Sequence, residues 1–314
     1  MPHLPLKLAL GAIVLAAATP AFAVDDGPRA YFPVPVGTNN FNLIGITQKT
    51  NSSLDPATAV KGADATVDVG VLQYTRAFSV AGNASALAVV VPFGEVRGGV
   101  TLSGPLGNNT ITRESNSSGL GDVSVLGVFG IVGSPAMTRQ QYAQFKPGFS
   151  LGALAMITAP TGAYDGDKLI NLGANRWAFR VGAPFGWAIG DSYLSPRLTT
   201  IEFVPSVTFY TDNDAPFRAG NRSQEALYRI EGHLTHNFNR AFWVSVDLTA
   251  NTGGETTTDG KSDKNSKTWT GGGLTAGMNF SPAFGISATY GGILSGNDAA
   301  PDGDGFRING RYTF

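Results

Sequence analysis

Cysteine is absent from the 314 residues. That excludes disulfides, thiolate metal sites and a cysteine nucleophile, and leaves stability to packing and backbone pairing. Charge is scarce as well, at 14% of residues with a formal net charge of −1, so nothing in the balance recruits nucleic acid or a strongly charged surface. Beyond the first residues, no stretch reaches the roughly 18 apolar residues of a membrane-spanning helix. No glycine-rich nucleotide loop, energy-coupling box or long plug domain is visible. The 41 glycines are scattered and lack a collagen repeat.

What is present begins with MPHLPLKLALGAIVLAAATPAFA, which has a basic Lys7, an apolar run from Leu8 to Ala18 and a small-x-small site at Ala21, Phe22 and Ala23. This is the pattern of a secretory signal peptide, residues 1–23. Cleavage after Ala23 is expected to send a chain beginning VDDGPR out of the cytoplasm. At the other end, FRINGRYTF puts Phe306, Ile308, Gly310, Tyr312 and Phe314 on one strand face and Arg307, Asn309, Arg311 and Thr313 on the other. A secreted β-sandwich would bury the apolar face in a core. An outer-membrane barrel would point it at lipid and turn the arginines into the lumen.

The same alternation recurs along the chain. In RWAFRVGAPFGWAIG, Trp177, Phe179, Val181, Ala183, Phe185, Trp187 and Ile189 share a face. A strand tilted by about 40° separates Trp177 from Trp187 by roughly 25 Å along the membrane normal, the height of an apolar band with an aromatic at each rim. AFWVSVDLTAN and ALYRIEGHLTHNF place isolated charges between apolar neighbours, costly in a sandwich core but cheap in a wet lumen. Twelve strands are predicted: 40–50, 64–79, 84–97, 121–131, 145–158, 175–189, 194–211, 225–238, 240–251, 267–280, 283–294 and 305–314. The alternation of Val67, Val69 and Val71 slips near Leu72 and Gln73, which reads as a bulge or as a misjudged register.

Connections alternate between tight turns such as VAGN and SP and long polar loops such as TGGETTTDGKSDKN. The expected fold is therefore all-β, a transmembrane antiparallel up-and-down barrel of about twelve strands over residues 40–314, with short periplasmic turns and longer extracellular loops. SPAMTRQQYAQ is a longer periplasmic connection with room for a short helix. Residues 24–39, with PVPVG, form an irregular segment placed either in the periplasm or partly in the lumen.

FRINGRYTF resembles the C-terminal signal recognised by the outer-membrane barrel assembly machinery, with Gly310, Tyr312 and Phe314 at its glycine and aromatic positions. AYFPVPVGTNNFNL, YTRAF followed by VVVPFGEV, GLGDVSVLGVFGIVGSPAM, APTGAYDGDKLINLGANRWAFR, FYTDNDAPF and NTGGETTTDGK together resemble the family of outer-membrane transporters named for the meta-pathway of phenol degradation. The resemblance implies a barrel in the outer membrane of a Gram-negative bacterium that lets small organic molecules, often from aromatic catabolism, cross. It brings neither a substrate identity nor catalytic residues.

The inward set Arg180, Glu202, Arg229, Glu231, His233, Asp247, Arg307 and Arg311 creates a transverse field that orients polar solutes, with aromatic contacts from Tyr210 and Trp243. The same ion pairs read equally as crosslinks that close the interior. PTGAYDGDKLINLGANRW carries Tyr164, Asp165, Asp167, Asn171, Asn175 and Arg176 in an extracellular loop, either as a gate over the pore mouth or as ordinary turn chemistry beside the interface residues Trp177 and Trp187. The aspartates of Asp165–Asp167 and of Asp298, Asp302 and Asp304 lack the ligand spacing of an EF-hand loop, so no metal and no cofactor is expected. His233 and Thr235 lie two residues apart, as in an outer-membrane phospholipase, but face inward rather than toward lipid, so no catalytic residue is assigned. The expected function is passive diffusion of small hydrophobic or aromatic molecules. A plugged structural or binding barrel and an outer-membrane lipid hydrolase are the alternatives. Its expected partners are outer-membrane lipid, the assembly machinery and a small solute, with no nucleic acid.

Overall fold

A sheet that presents an apolar face to lipid has to close on itself, because an open edge would leave backbone N–H and C=O groups without partners. The computed structural model describes residues 26–53, 56–59, 63–103 and 110–314, and its strands do close. The expected signal peptide lies outside the described residues. In chain order the strands are β1 (Asn39–Thr50), β2 (Ala63–Val80), β3 (Asn83–Ser103), β4 (Thr110–Leu120 continued by Ser124–Val132) and β5 (Phe149–Thr158). They continue as β6 (Ala178–Gly182 and Phe185–Ile189), β7 (Thr199–Tyr210), β8 (Leu227–Asn237) and β9 (Phe242–Gly253). The ring ends with β10 (Lys267–Asn279), β11 (Phe284–Gly296) and β12 (Asp304–Thr313). Each pairs antiparallel with the next, giving a closed transmembrane barrel of 12 strands.

Closure runs from Asn40 opposite Thr313 to Lys49 opposite Asp304 without a register shift. Asn39 and Phe314 then exchange both backbone hydrogen bonds at 2.9 Å. The break in β6 at Pro184 leaves its register against β5 unchanged. Proline has no N–H to give, but its carbonyl accepts from Gly152 N at 2.8 Å, so the strand continues through it.

All the predicted strands are present, with two corrections. β4 starts at Thr110 rather than at the predicted Gly121. Thr110–Leu120 pairs with the far half of β3, and its run of Ser, Thr and Asn gives no alternation to read. The suspected bulge in β2 does not exist, since its register is unbroken against both neighbours. Instead the apolar residues change face: Val67, Val69 and Val71 are buried inside, whereas Leu72 and Tyr74 are exposed on the outer surface.

Short turns join β2 to β3, β8 to β9 and β10 to β11 at the end that also holds Phe314, here the turn end, which carries the longer β4–β5 and β6–β7 connections too; the remaining connections lie at the other end, the loop end. The outer surface between them is aliphatic, including Leu234, Val246, Leu248 and Leu274. Aromatic pairs rim the turn end, with Phe149 against Trp187 at 5.0 Å, Phe238 against Phe242 at 5.8 Å and Phe280 against Phe284 at 5.7 Å. Trp177 stacks with Phe179 on the outer surface toward the loop end. The two tryptophans therefore occupy opposite rims, as their spacing predicts. The β4–β5 connection does hold a helix, α1 (Arg139–Gln144), begun by a capping box in which Thr138 and Gln141 satisfy each other's backbone N–H.

Deleting Phe314 removes both closing bonds to Asn39 and the ring stacked on Tyr312 at 5.6 Å. The expected result is a lower yield of barrel that migrates as a folded, heat-modifiable species on unboiled gels. An unchanged yield would show that the terminal pair is dispensable for closure.

Candidate functional site

On β8 and β9 the strand period sends Arg229, Glu231, His233 and Thr235 inward beside Ser245, Asp247, Thr249 and Asn251. The inward facing read from the sequence is right, but the wet lumen is not: Glu231 is 0% exposed and Asp247 1%. The reason is the N-terminal segment, whose residues 26–32 run through the barrel interior. Asp26 N donates to Glu231 at 3.1 Å, and the Asp26 carboxylate accepts from Arg180 at 2.8 Å and from the Tyr31 hydroxyl. Arg29 N donates to both Glu202 oxygens at 3.0 Å. The Arg29 side chain reaches Thr235 at 3.0 Å and Asn237 at 2.8 Å, and its guanidinium lies 4.7 Å from the Trp243 ring centroid. Gly27 has φ +89, and a Cβ there would stand 3.4 Å from the Arg307 guanidinium, so the segment needs glycine to turn beside that arginine.

These contacts make one buried polar network. Arg180 also reaches Glu231 at 3.1 Å, and Arg229 reaches it at 3.4 Å. Asp247 is held by Ser245 at 2.6 Å, Thr275 at 2.5 Å and His233 Nδ1 at 2.8 Å. Buried charges persist only when paired and hydrogen-bonded, and here the N-terminal segment supplies part of the pairing. The wall formed by β11 and β12 differs, because its Ser287, Thr289, Arg307, Asn309 and Arg311 are only half-buried. At the turn end, Phe32 packs against Tyr193, which stacks on Tyr142 at 5.1 Å. Burial pushes the Tyr193 phenol up to about 12, so it stays a neutral aromatic surface.

The second feature is the loop between β5 and β6. Its two legs meet at Gly162 and Gly173, where a Cβ on Gly173 would lie 2.8 Å from the Gly162 carbonyl carbon, so no larger residue fits that neck. Asp122 ties the legs together by accepting from Gly162 N and Ala174 N, both at 2.8 Å. The span is a compact Ω-loop with adjacent ends. Asn171 stiffens it by bonding Asp165 and Lys168 backbone groups at 2.9 to 3.1 Å. Rather than covering a mouth, the loop folds inward over the unpaired edge of β4. Ser115 and Ser117 bond the backbone N–H of Ile170 and Leu172 at 3.3 and 3.1 Å. Ile170 and Leu172, with Leu169 beside them, pack on an apolar wall of Ile44, Val67, Val69, Val71 and Val96. On the outer side of the loop a cavity of about 310 Å³ is lined by Glu95, Arg97, Asn116, Tyr164, Lys168 and Asn171.

The residues singled out from the sequence thus divide. Arg180, Glu202, Arg229, Glu231, His233 and Asp247 meet in the buried network, with Trp243 under Arg29. Arg307 and Arg311 stand on the other wall, and Arg176 lies 4.3 Å over the Tyr210 ring. Tyr164, Asp165, Asp167 and Asn171 belong to the Ω-loop, while Asn175 bonds Asn213 at 2.8 Å beside it. Of the two positions that the sequence left open for residues 24–39, residues 26–32 take the lumenal one, but Asp26, Arg29, Tyr31 and Asp122 were not singled out from the sequence. Sequence reasoning also missed the apolar inner wall, whose signal was the alternation of Val67 to Val71 opposite Asp64, Thr66 and Asp68.

Comparison with solved structures gives the COG4313 outer membrane channel from Pseudomonas putida F1, at 20% identity over 92% of this chain and 99% of that one, with a TM-score of 0.71. The toluene transporter TodX of Pseudomonas putida is more distant, at 10% identity over 89% of each chain and a TM-score of 0.39. No curated protein matches the chain. The family described as "Putative MetA-pathway of phenol degradation" matches residues 47–308, and the chain belongs to that family.

Proposed function

We propose that this protein is a channel in the outer membrane of a Gram-negative bacterium, through which small hydrophobic or aromatic molecules diffuse down their own gradient. In this reading the leader is removed, the turn end faces the periplasm, and the C-terminal strand is the element that the barrel assembly machinery engages. The observation that carries it is how the interior is filled. A barrel built only as a scaffold can fill its lumen with strand side chains; this one fills it with a terminal segment, residues 26–32, that is no part of any strand and is held by hydrogen bonds and the Arg180–Asp26 ion pair. The family and the shared fold support the same reading. A plugged barrel without transport is the second reading, favoured by the solvent-excluded Glu231 and Asp247. The lipid-hydrolase alternative needs a nucleophile on the lipid side, and His233 and Thr235 are both buried inward.

Purified protein in planar bilayers separates the two main readings, since the channel gives discrete conductance steps and the plugged barrel none. With Arg307 and Arg311 on the half-buried wall, the conductance is expected to prefer anions, and Arg307→Gln should move the reversal potential toward cation preference. Arg229→Gln should move it less, because Glu231 at 3.4 Å already offsets the Arg229 charge.

A further inference from the structure

At the turn end of the lumen two guanidinium groups stand without a carboxylate. The Arg29 side chain gives Nε and Nη2 to the neutral oxygens of Thr235 and Asn237, and Glu202 takes only its backbone N–H. Arg311, inward on β12, gives Nη2 to Asn279 Oδ1 at 3.1 Å, while its Nε is buried with no partner. Among the described residues neither side chain forms an ion pair, whereas Arg180 holds both Asp26 and Glu231. Most N–H groups of the two guanidiniums therefore have no acceptor in the protein. A cation drawn this far from water is stabilised by an opposite charge.

A chain of contacts brings the two arginines to one place. The Arg29 guanidinium lies 4.7 Å from the Trp243 ring centroid, and that ring occupies the place that a Cβ on Gly277 of β10 would take. Asn279, two residues further along the same inward face of β10, is the acceptor for Arg311. Tyr142 of α1 joins them. Burial and the neighbouring Tyr193 raise its phenol, and the nearby charges of Arg29 and Arg311 oppose that rise. The Tyr142 hydroxyl bonds to nothing among the described residues. Arg29, Arg311 and Tyr142 are all half-buried, so a small solute in the lumen reaches them. On its other side Tyr142 stacks on Tyr193 at 5.1 Å, and Phe145 stacks on Tyr193 at 6.1 Å, so the three donors border an aromatic cluster.

We propose that Arg29, Arg311 and the Tyr142 hydroxyl bind the carboxylate of a small aromatic acid. A guanidinium fork pairs with a carboxylate through two parallel hydrogen bonds, and the adjoining rings give the body of the acid a surface to pack on. Toluene offers the body without the charge, and acetate the charge without the body. The site names a solute class for the channel proposed above, and its part in transport rests on that reading. Because Arg29 belongs to the N-terminal segment, the element that narrows the lumen also supplies part of the recognition.

Radiolabelled benzoate and the full-length mature protein in lipid nanodiscs test the site. Binding should be saturable, and unlabelled benzoate should displace the label at lower concentration than acetate, with toluene and inorganic phosphate displacing little. Arg311→Gln should weaken binding by about tenfold, the size of one charge-assisted hydrogen bond. Tyr142→Phe, outside the barrel strands, should weaken it several-fold and serves where Arg311→Gln does not assemble. Arg139→Gln, exposed on the same helix, should leave it unchanged. No saturable binding, phosphate displacing as well as benzoate, or equal losses in Arg139→Gln and Arg311→Gln would overturn the site. Bilayer recordings of the same preparation test the other reading separately. Conductance without benzoate binding would overturn the site and leave the channel, whereas saturable binding without conductance would overturn the channel and leave a receptor.

Discussion

Arg180→Ala should destabilise the barrel by about 3–5 kcal/mol, the usual effect of removing one partner of a buried charge cluster. Arg180 bonds Asp26 at 2.8 Å and Glu231 at 3.1 Å, and its side chain is 5% exposed. Its loss leaves two carboxylates facing each other across Asp26 N, with Arg229 at 3.4 Å from Glu231 offsetting part of their charge. Relief comes from releasing the N-terminal segment, which would let water reach Glu231. Two readouts should therefore move together: a lower urea midpoint by tryptophan fluorescence in lipid vesicles, and a larger conductance. Destabilisation without any change in conductance would mean that the network stabilises the barrel but does not obstruct it.

Val246→Arg is expected to cost about 2–4 kcal/mol, the measured range for a basic residue at the lipid-facing midplane of a barrel. Val246 is 47% exposed on the outer surface, between Val244 and Leu248. The matched inward substitution belongs at Ser287 of β11, whose side chain is only half-buried, and Ser287→Arg should change the urea midpoint little. The neighbouring Ser245 does not serve as the tolerant control, although it faces inward, because it is 1% exposed and bonded to Asp247 at 2.6 Å. An arginine there would be overpacked as well as adjacent to a buried network. Equal losses at Val246 and Ser287 would refute the facing of the strands.

The fold was legible because a membrane barrel writes itself in a two-residue period. Phe306, Ile308 and Tyr312 against Arg307, Asn309 and Arg311 already distinguish lipid from lumen, and the structure keeps that division. Legibility failed where a second layer of chain covers the inner face. Val67, Val69 and Val71 look like a lipid-facing run that slips at Leu72, yet they are interior because the Ω-loop lies on them. Glu231 and Asp247 look like wet lumenal charges, yet Glu231 is capped by Asp26 of the N-terminal segment and Asp247 is enclosed by Ser245, His233 and Thr275. Neither covering segment has a periodicity of its own, so the strand pattern alone holds no record of where it packs. Gly162, Gly173 and Asp122 were equally silent, because a loop neck depends on the meeting of residues far apart in sequence.

The central claim is that a terminal segment of the chain obstructs a conducting barrel. Single-channel recording on the full-length mature protein and on a variant lacking residues 26–32 addresses it most directly. The segment's bonds to Glu202, Glu231 and Arg180 predict a small conductance for the complete chain and a several-fold larger one for the variant, since bore cross-section sets ion flow. Equal conductance from the two proteins, or none from either while both migrate as folded barrels, would contradict it.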